Sequence, residues 1–474
     1  VSQAPILLWF RRDLRLDDHP ALSEAALSGR PVIPVFIHDE TVESLGAAPK
    51  WRLGLGLEAF AGALERLGTR LILRRGRASE VIDALISETG AGAVFWTRYY
   101  EPSHIARDRV MKVDLAERGI EARSFAGALL FEPKDVTTGA GTPYSVFTPF
   151  WRSVRARDPG RALPTPTRLA GPVDWPRSEA LADWRMGAAM QRGAAVVLPH
   201  LEVGEERALA RLDRFFADAV EGYAEGRDFP MRAVTSGLSE NLAWGEISPR
   251  RIWHRAVLES EAGRGRGPEK FLSELGWREF AWHLMTHQPK LAETNWRADW
   301  DGFPWRGENE DAEVWRRALT GEPFVDAGLR EMYVTGRMHN RVRMVVASYL
   351  TKHLLTDWRV GLQWFADCLV DWDPAANALG WQWVAGSGPD AAPYFRVFNP
   401  ETQGEKFDPD GRYRRQFIAE GQRSPGRDAL GWFEAIPKSW GQRPDQPYPA
   451  RRVALAAGRE AALGAYERFR NVHK

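Results

Sequence analysis

The chain has 474 residues, 44% of them hydrophobic and 27% charged, with a formal net charge of +1. That length is too great for one ordinary core and predicts two domains. No apolar run approaches the roughly 18 residues that cross a membrane, and the single cysteine excludes a disulfide framework and any Cys-built zinc or iron–sulfur site within the chain. A charge near zero means that a polyanionic partner would have to meet a local basic patch.

Residues 1–18 place their arginines after the apolar stretch, where a secretory signal has its charge first, so a cytoplasmic protein is expected. Short apolar runs at 6–10 (ILLWF), 32–37 (VIPVFI), 70–73 (RLIL) and 93–96 (AVFW) have the length of buried strands. Helical patterns at 53–67 and 78–89 lie between them. Strand–helix alternation predicts an α/β domain, a parallel sheet flanked by helices, over residues 1–130. From 131 to 205, Pro159, Pro164, Pro166, Pro172 and Pro176 with scattered Gly and Arg read as a linker lying on the surface. Residues 206–474 are helical almost throughout and predict a larger all-α domain. Val342, Val345, Val346, Tyr349, Leu350 and Leu354 mark one buried stripe within it. Cys368, beside Trp364, Phe365 and Leu369, is expected as a small buried hydrophobe.

Several familiar signals fail. Gly54-Leu-Gly56 lacks the third glycine and the preceding strand of a dinucleotide fingerprint, and Gly-Lys, which a P-loop requires, never occurs. His283 and His287 stand at i,i+4 with no third ligand at a metal spacing, so a structural role is expected and no metal site. Spacing nominates no nucleophile–base pair.

Other groupings carry chemistry. Thr235-Ser236-Gly237-Leu238-Ser239 precedes a helical stretch at 240–244, where hydroxyls and free N–H groups suit either a phosphate or a plain N-cap. Asn340, Arg343 and Met344 share a helix face, as do Glu274, Trp277 and Arg278. Each set suggests the wall of a cavity. Trp381 and Trp383 are two apart and point in nearly opposite directions on a helix, so one is expected to face a cofactor and the other a separate pocket. Of the 21 tryptophans, most are expected to be core packing.

The run 336–354 (GRMHNRVRMVVASYLTKHL), then Asp357-Trp358-Arg359 and Asn377-Ala-Leu-Gly-Trp381-Gln-Trp383, resembles the flavin domain of the photolyase/cryptochrome family. So do Trp277-Arg-Glu-Phe280 and 390–408, while 9–18 (WFRRDLRLDD) looks like the family's first strand and turn. The resemblance spans nearly the whole chain. It implies an antenna domain joined to a helical domain holding FAD, active as FADH−, and a lyase that splits cyclobutane pyrimidine dimers in ultraviolet-damaged DNA by electron transfer from the photoexcited flavin to a flipped-out lesion; base flipping by photolyases is itself a known pattern.

The family's positions carry over residue by residue. Tyr223, Thr235, Ser236, Leu238 and Ser239 match contacts to FAD and its phosphates; Arg343 and Asp371 match a salt bridge beside the isoalloxazine; Asp373 and Asn377 match further flavin contacts, with Asn377 facing N5. Trp277 and Trp383 match walls for the dimer, with Glu274, Asn340 and Met344 completing its pocket. Trp381, Trp358 and Trp305 match an electron-transfer chain, and Trp315, Trp364 and Trp372 are candidates for a second branch. Arg227, Arg278, Arg341, Arg396 and Lys406 match a basic rim for DNA phosphates. Arg337, where many members carry tryptophan, and the block 46–57 look closest to the class III branch, with class I as the alternative. His104 stands where class I enzymes have a folate-contacting glutamate, so the antenna is 5,10-methenyltetrahydrofolate bound differently, a deazaflavin, or absent. A monomer without an obligatory protein partner is expected. A cryptochrome-like photoreceptor shares the fold, but Asn377 and the Glu274, Trp277, Asn340, Met344 and Trp383 set count against it, as does the lack of a long extension after residue 474. An electron-transfer or nucleotide-binding α/β protein would leave the helical domain's aromatic residues unexplained.

Overall fold

The computed structural model describes residues 4–390 and 395–472. Five parallel strands, β1 (Ile6–Phe10), β2 (Val32–His38), β3 (Ile72–Arg75), β4 (Ala93–Thr97) and β5 (Glu121–Phe125), lie in the order β3-β2-β1-β4-β5. Strand β1 is flanked by β2, with Ile6 opposite Val32, and by β4, with Ile6 opposite Ala93. The side chains of β1 alternate between two cores. Ile6, Leu8 and Phe10 pack with Leu22 of α1 (Pro20–Leu27) and with Leu57, Phe60 and Leu64 of α2 (Ala47–Arg66). Leu7 and Trp9 pack with Ile82 and Leu85 of α3 (Ala78–Thr89) and Met111 and Leu115 of α4 (Pro102–Glu117). Burial on both faces is why β1, β2 and β4 read as continuous apolar runs. The edge strand β5 (EARSF) was not among the expected strands, because its outward residues are charged.

The stretch 131–205 does not simply lie on the surface. It contains α5 (Phe147–Arg155), whose Phe147, Phe150 and Val154 are buried against Phe280 and its neighbours. Leu169, Trp184 and Met186 join the core beneath the sheet, and Val197 is buried as well. These scattered anchors have no periodicity, so the prolines dominated the reading of the sequence.

The remainder is helical. Its principal elements are α6 (Glu205–Arg214), α7 (Ser239–Ala243), α8 (Pro249–Glu261), α9 (Gly267–His287), α10 (Pro323–Thr335), α11 (Asn340–Ser348), α12 (Trp358–Cys368), α13 (Pro374–Ala385) and α14 (Leu455–Val472). The stripe from Val342 to Leu354 is buried as the spacing predicts, with α11 running into a wider i→i+5 turn over Tyr349–His353. Cys368 is buried at the end of α12. The pair His283 and His287 is structural: the His283 ring accepts from the Tyr144 amide at 3.0 Å, and His287 lies 3.3 Å from the Pro133 carbonyl. Gly54 and Gly56 lie inside α2, away from any phosphate-binding turn. Among the described residues no helix is long and apolar enough to cross a membrane.

Charged residues of the opening motif hold the two halves together. Arg12 donates to the carbonyl of Ala243 and Arg15 to that of Gly245, each at 3.1 Å, and Arg251 pairs with Asp17. Gly245 sits at φ +64°, and a Cβ there would fall 2.1 Å from Arg12 O, so only glycine fits.

Candidate functional site

A cavity of about 1360 Å³ opens in the helical half. Helix α9 lines it with Glu274, Trp277 and Arg278, α11 with Asn340, Arg341, Arg343 and Met344, and α13 with Asn377, Trp381 and Trp383. Tyr223, the loop Thr235–Ser239 (residues 235–239), Asp371, Asp373 and Arg227 complete the wall. Residues from five separate stretches of sequence thus face one space. Trp381 and Trp383 both line it, which corrects the expectation of separate pockets: the cavity is large enough to reach round α13 to both.

The local chemistry is well fixed. Arg343 pairs with Asp371 through bonds of 3.0 and 2.8 Å, and its Nε donates to Met338 O at 2.7 Å, so the guanidinium cannot turn. Asp373 caps α13, accepting from the Ala376 amide at 2.9 Å and from the Trp282 indole at 3.0 Å. Asn377 donates its amide to Asp373 O at 2.9 Å, which orients the side chain. Tyr223 is buried edge-on to Phe215 and Phe271.

The walls predicted for a substrate are also held. Trp277 stacks on Phe147 with ring centroids 3.7 Å apart and 10° between planes, and Trp151 continues the stack at 6.2 Å. Glu274 lies against both Arg227 and Lys270, the latter at 2.9 Å. The expected basic rim is divided. Arg227, Arg278 and Arg341 line the cavity, but each is paired, with Glu274, Glu279 and Asp228 respectively. Arg396 and Lys406 are exposed away from the cavity lining, over Phe398 and Phe407. Of the 390–408 motif, residues 391–394 lie outside the described residues.

The indoles are placed unevenly. Trp381 is buried with Phe365 at 4.9 Å and Trp315 at 6.2 Å. Trp358 is buried one turn before Gly361, whose backbone meets the Trp381 ring, and donates its Nε1 to Asn295 at 2.9 Å. Trp305 is half-buried, stacked on Trp300 at 5.6 Å. Trp364 stacks on Tyr333, while the Trp372 carbonyl accepts from Arg12. His104 is buried in the α/β half, where burial first and then Arg11, Arg107 and Arg12 push its pKa well down.

Four parts of the site were not read from the sequence. Phe147 backs Trp277 from a distant helix. Arg211 donates to Gly237 O at 2.6 Å and so holds the 235–239 loop. Glu331 lines the cavity, accepting from the Tyr413 hydroxyl and the His339 amide. Lys270 alone had a local signal, its i,i+4 spacing from Glu274.

Residues 271–468 match the family model described as the FAD binding domain of DNA photolyase, and residues 6–168 match the one described as DNA photolyase. A deoxyribodipyrimidine photo-lyase of Agrobacterium fabrum is 46% identical over 470 residues, covering 98% of each chain. The chain belongs to the DNA photolyase family. Among solved structures, a bacterial class III photolyase from Agrobacterium tumefaciens superposes with a TM-score of 0.92 at 45% identity, covering 99% of this chain and 98% of that one. A Synechocystis cryptochrome also superposes, at 0.84 and 29%, covering 97% and 99%. The fold is therefore shared between a photolyase and a cryptochrome, and the pocket must separate the two.

The cavity fits the family's flavin. At about 1360 Å³ it is larger than an ordinary small-molecule pocket, with space for a dinucleotide-sized cofactor. Hydroxyls of Thr235, Ser236 and Ser239 suit phosphates, and Arg343 with Asp371 offers a donor and an acceptor pair to a polar ring edge. A Cβ on Gly380, a lining residue of α13, would meet nothing within 4 Å, so that face of the helix leaves room for a large planar group.

Proposed function

We propose that this photolyase repairs cyclobutane pyrimidine dimers in ultraviolet-damaged DNA as a class III enzyme, with the pocket of Glu274, Trp277, Asn340, Met344 and Trp383 as its lesion site. The observation that carries the reading is their convergence on the same cavity wall as Asn377 and the Arg343–Asp371 pair. Held there in its reduced form, FAD would supply light-driven electron-transfer chemistry with no net redox change.

The protein's part is position and electrostatics. Trp277, braced by Phe147, and Trp383 offer two indole faces to a nonplanar lesion, and Met344 adds a pliable apolar contact. Glu274, held by cations on one side, accepts a hydrogen bond from the lesion's imide. Asn340 adds a neutral polar contact. Tyr223, Thr235, Ser236, Leu238 and Ser239 hold the nucleotide part of the cofactor, and Asp373 and Asn377 hold its ring. The Asn377 amide hydrogen-bonds the flavin without readily giving up a proton, which suits an anionic reduced cofactor. Trp381, Trp358 and Trp305 carry electrons inward from the surface. Arg227, Arg278, Arg341, Arg396 and Lys406 form the basic rim for DNA phosphates, the three paired arginines while keeping their carboxylates. The same reading divides the chain into an antenna domain to about 130, a linker to about 205 and a flavin domain beyond, and takes it as a cytoplasmic monomer with methenyltetrahydrofolate as antenna.

The test is repair of a thymine-dimer oligonucleotide by photoreduced protein in blue light, with a dark control. Wild type should repair in light only. Glu274→Ala should lose roughly tenfold or more in repair rate, the size of one lost charged hydrogen bond. No repair by protein carrying fully reducible FAD would move the assignment to a photoreceptor.

A further inference from the structure

Four cations surround the carboxylates along the edge of the lesion pocket, and three are committed. Arg227 pairs with Glu274. Arg341 lies 2.7 Å from Asp228, with its guanidinium 4.5 Å from the Phe407 ring. Arg278 lies 3.3 Å from Glu279 and donates to Ala128 O at 3.1 Å. Their side chains are 14%, 18% and 16% exposed.

Lys270 differs. Its side chain is 41% exposed, and its ammonium lies 2.9 Å from Glu274 Oε1, the same oxygen that Arg227 engages. A carboxylate oxygen already neutralised by a better-buried arginine gains little from a second, solvated partner. The helix gains little either. A lysine N-terminal to its glutamate is the poorer i,i+4 orientation. It is also the fourth residue of α9, near the positive end of the helix dipole, where a cation is disfavoured. Arg227, Lys270 and Glu274 together carry one surplus positive charge at the cavity edge. Neither α9 nor Glu274 gains much from a lysine here, whereas an anion at the cavity mouth would.

We propose that Lys270 is a DNA-contacting cation that leaves Glu274 for a backbone phosphate when the lesion enters the cavity. The proposal rests on the repair reading above. Its flexible stem and three rotatable donors permit the swing, which the planar, doubly held arginines do not make. Glu274 keeps Arg227 throughout and turns its second oxygen to the lesion, so one weak ion pair is exchanged for a phosphate contact without stranding a charge.

The experiment is a dark binding titration of FAD-loaded wild type, Lys270→Met and Lys270→Arg. The probes are a duplex with one thymine dimer and its undamaged twin, over a series of sodium chloride concentrations. Lys270→Met should weaken binding to both duplexes at low salt and flatten the slope of log K against log salt by about 0.9, the loss of one phosphate contact. Lys270→Arg should keep the wild-type slope. Thermal midpoint and flavin absorbance check that the variants are folded, with Lys270→Gln read the same way should the methionine fail. An unchanged slope in Lys270→Met overturns the proposal. So does a loss confined to the damaged duplex at every salt concentration, which would make Lys270 only a positioning residue for Glu274. A wild type that does not prefer the damaged duplex overturns the repair reading instead, while the slope still reports whether Lys270 meets phosphate.

Discussion

Glu331 shows what burial does to one acid in this cavity. Its carboxylate accepts from the Tyr413 hydroxyl at 2.5 Å and the His339 amide at 3.1 Å. Burial raises its pKa from 4.5 to about 7, against the lowering effect of those two donors and of Arg343 and Arg337. The folded protein therefore holds this proton more tightly than the unfolded chain does. The stability it contributes is complete below pH 4.5 and is lost as pH rises through about 7. Glu331→Gln should thus gain on wild type as pH rises across that window, most at about pH 8 and little at about pH 4, by denaturant unfolding of the two proteins. Local spacing made Asn340, Arg343 and Met344 legible as one face, and Glu274, Trp277 and Arg278 as another. It could not show Glu331, because its partner Tyr413 is far along the chain.

Among the helices, the contact between α12 and α13 shows how tightly an indole can be held. A Cβ on Gly361 would fall 2.0 Å from the Trp381 ring, and the ring cannot yield, being buried against Phe365 and Trp315. Gly361→Ala should destabilise the protein by about 1–3 kcal/mol, the range for overpacking a filled core. Because Trp381 lines the cavity, the variant should also bind FAD more weakly. Denaturant midpoints and flavin titration measure the two effects. The elements themselves were readable where periodicity was strong, as in the Val342–Leu354 stripe (residues 342–354) and strands β1, β2 and β4. They were not readable in β5, a charged edge, or in α5, whose buried Phe147, Phe150 and Val154 stand beside Pro149 in a proline-rich stretch. There the burial partner is a remote helix, and nothing local announces it.

Across the whole molecule, the α/β half reaches the cavity wall through a buried network. Arg52 of α2 donates to Glu246 at 2.8 and 2.7 Å and to Glu240 at 3.2 Å, all three fully buried. Burial pushes the Glu240 pKa up, but Arg337, Arg52 and Arg211 outweigh it and hold it low. Arg211 in turn grips the 235–239 loop. Removing one partner from such a buried group costs about 3–5 kcal/mol. Arg52→Met should lower unfolding stability by about that much and loosen FAD, although Arg52 does not line the cavity; unfolding curves and flavin release would register both. By itself the sequence determined the two architectures and the buried stripe, because periodicity is a property of the chain, and its ordered motifs carried the family resemblance that implied the Arg343–Asp371 pairing. Only the tertiary structure decided that Trp381 and Trp383 share one cavity, that Phe147 braces Trp277, that three rim arginines are already paired, and that Arg52 supports the 235–239 loop from the other half. Each of these depends on which surfaces meet after folding. Residues far apart in sequence become neighbours only when their separate elements bury their apolar faces against one another.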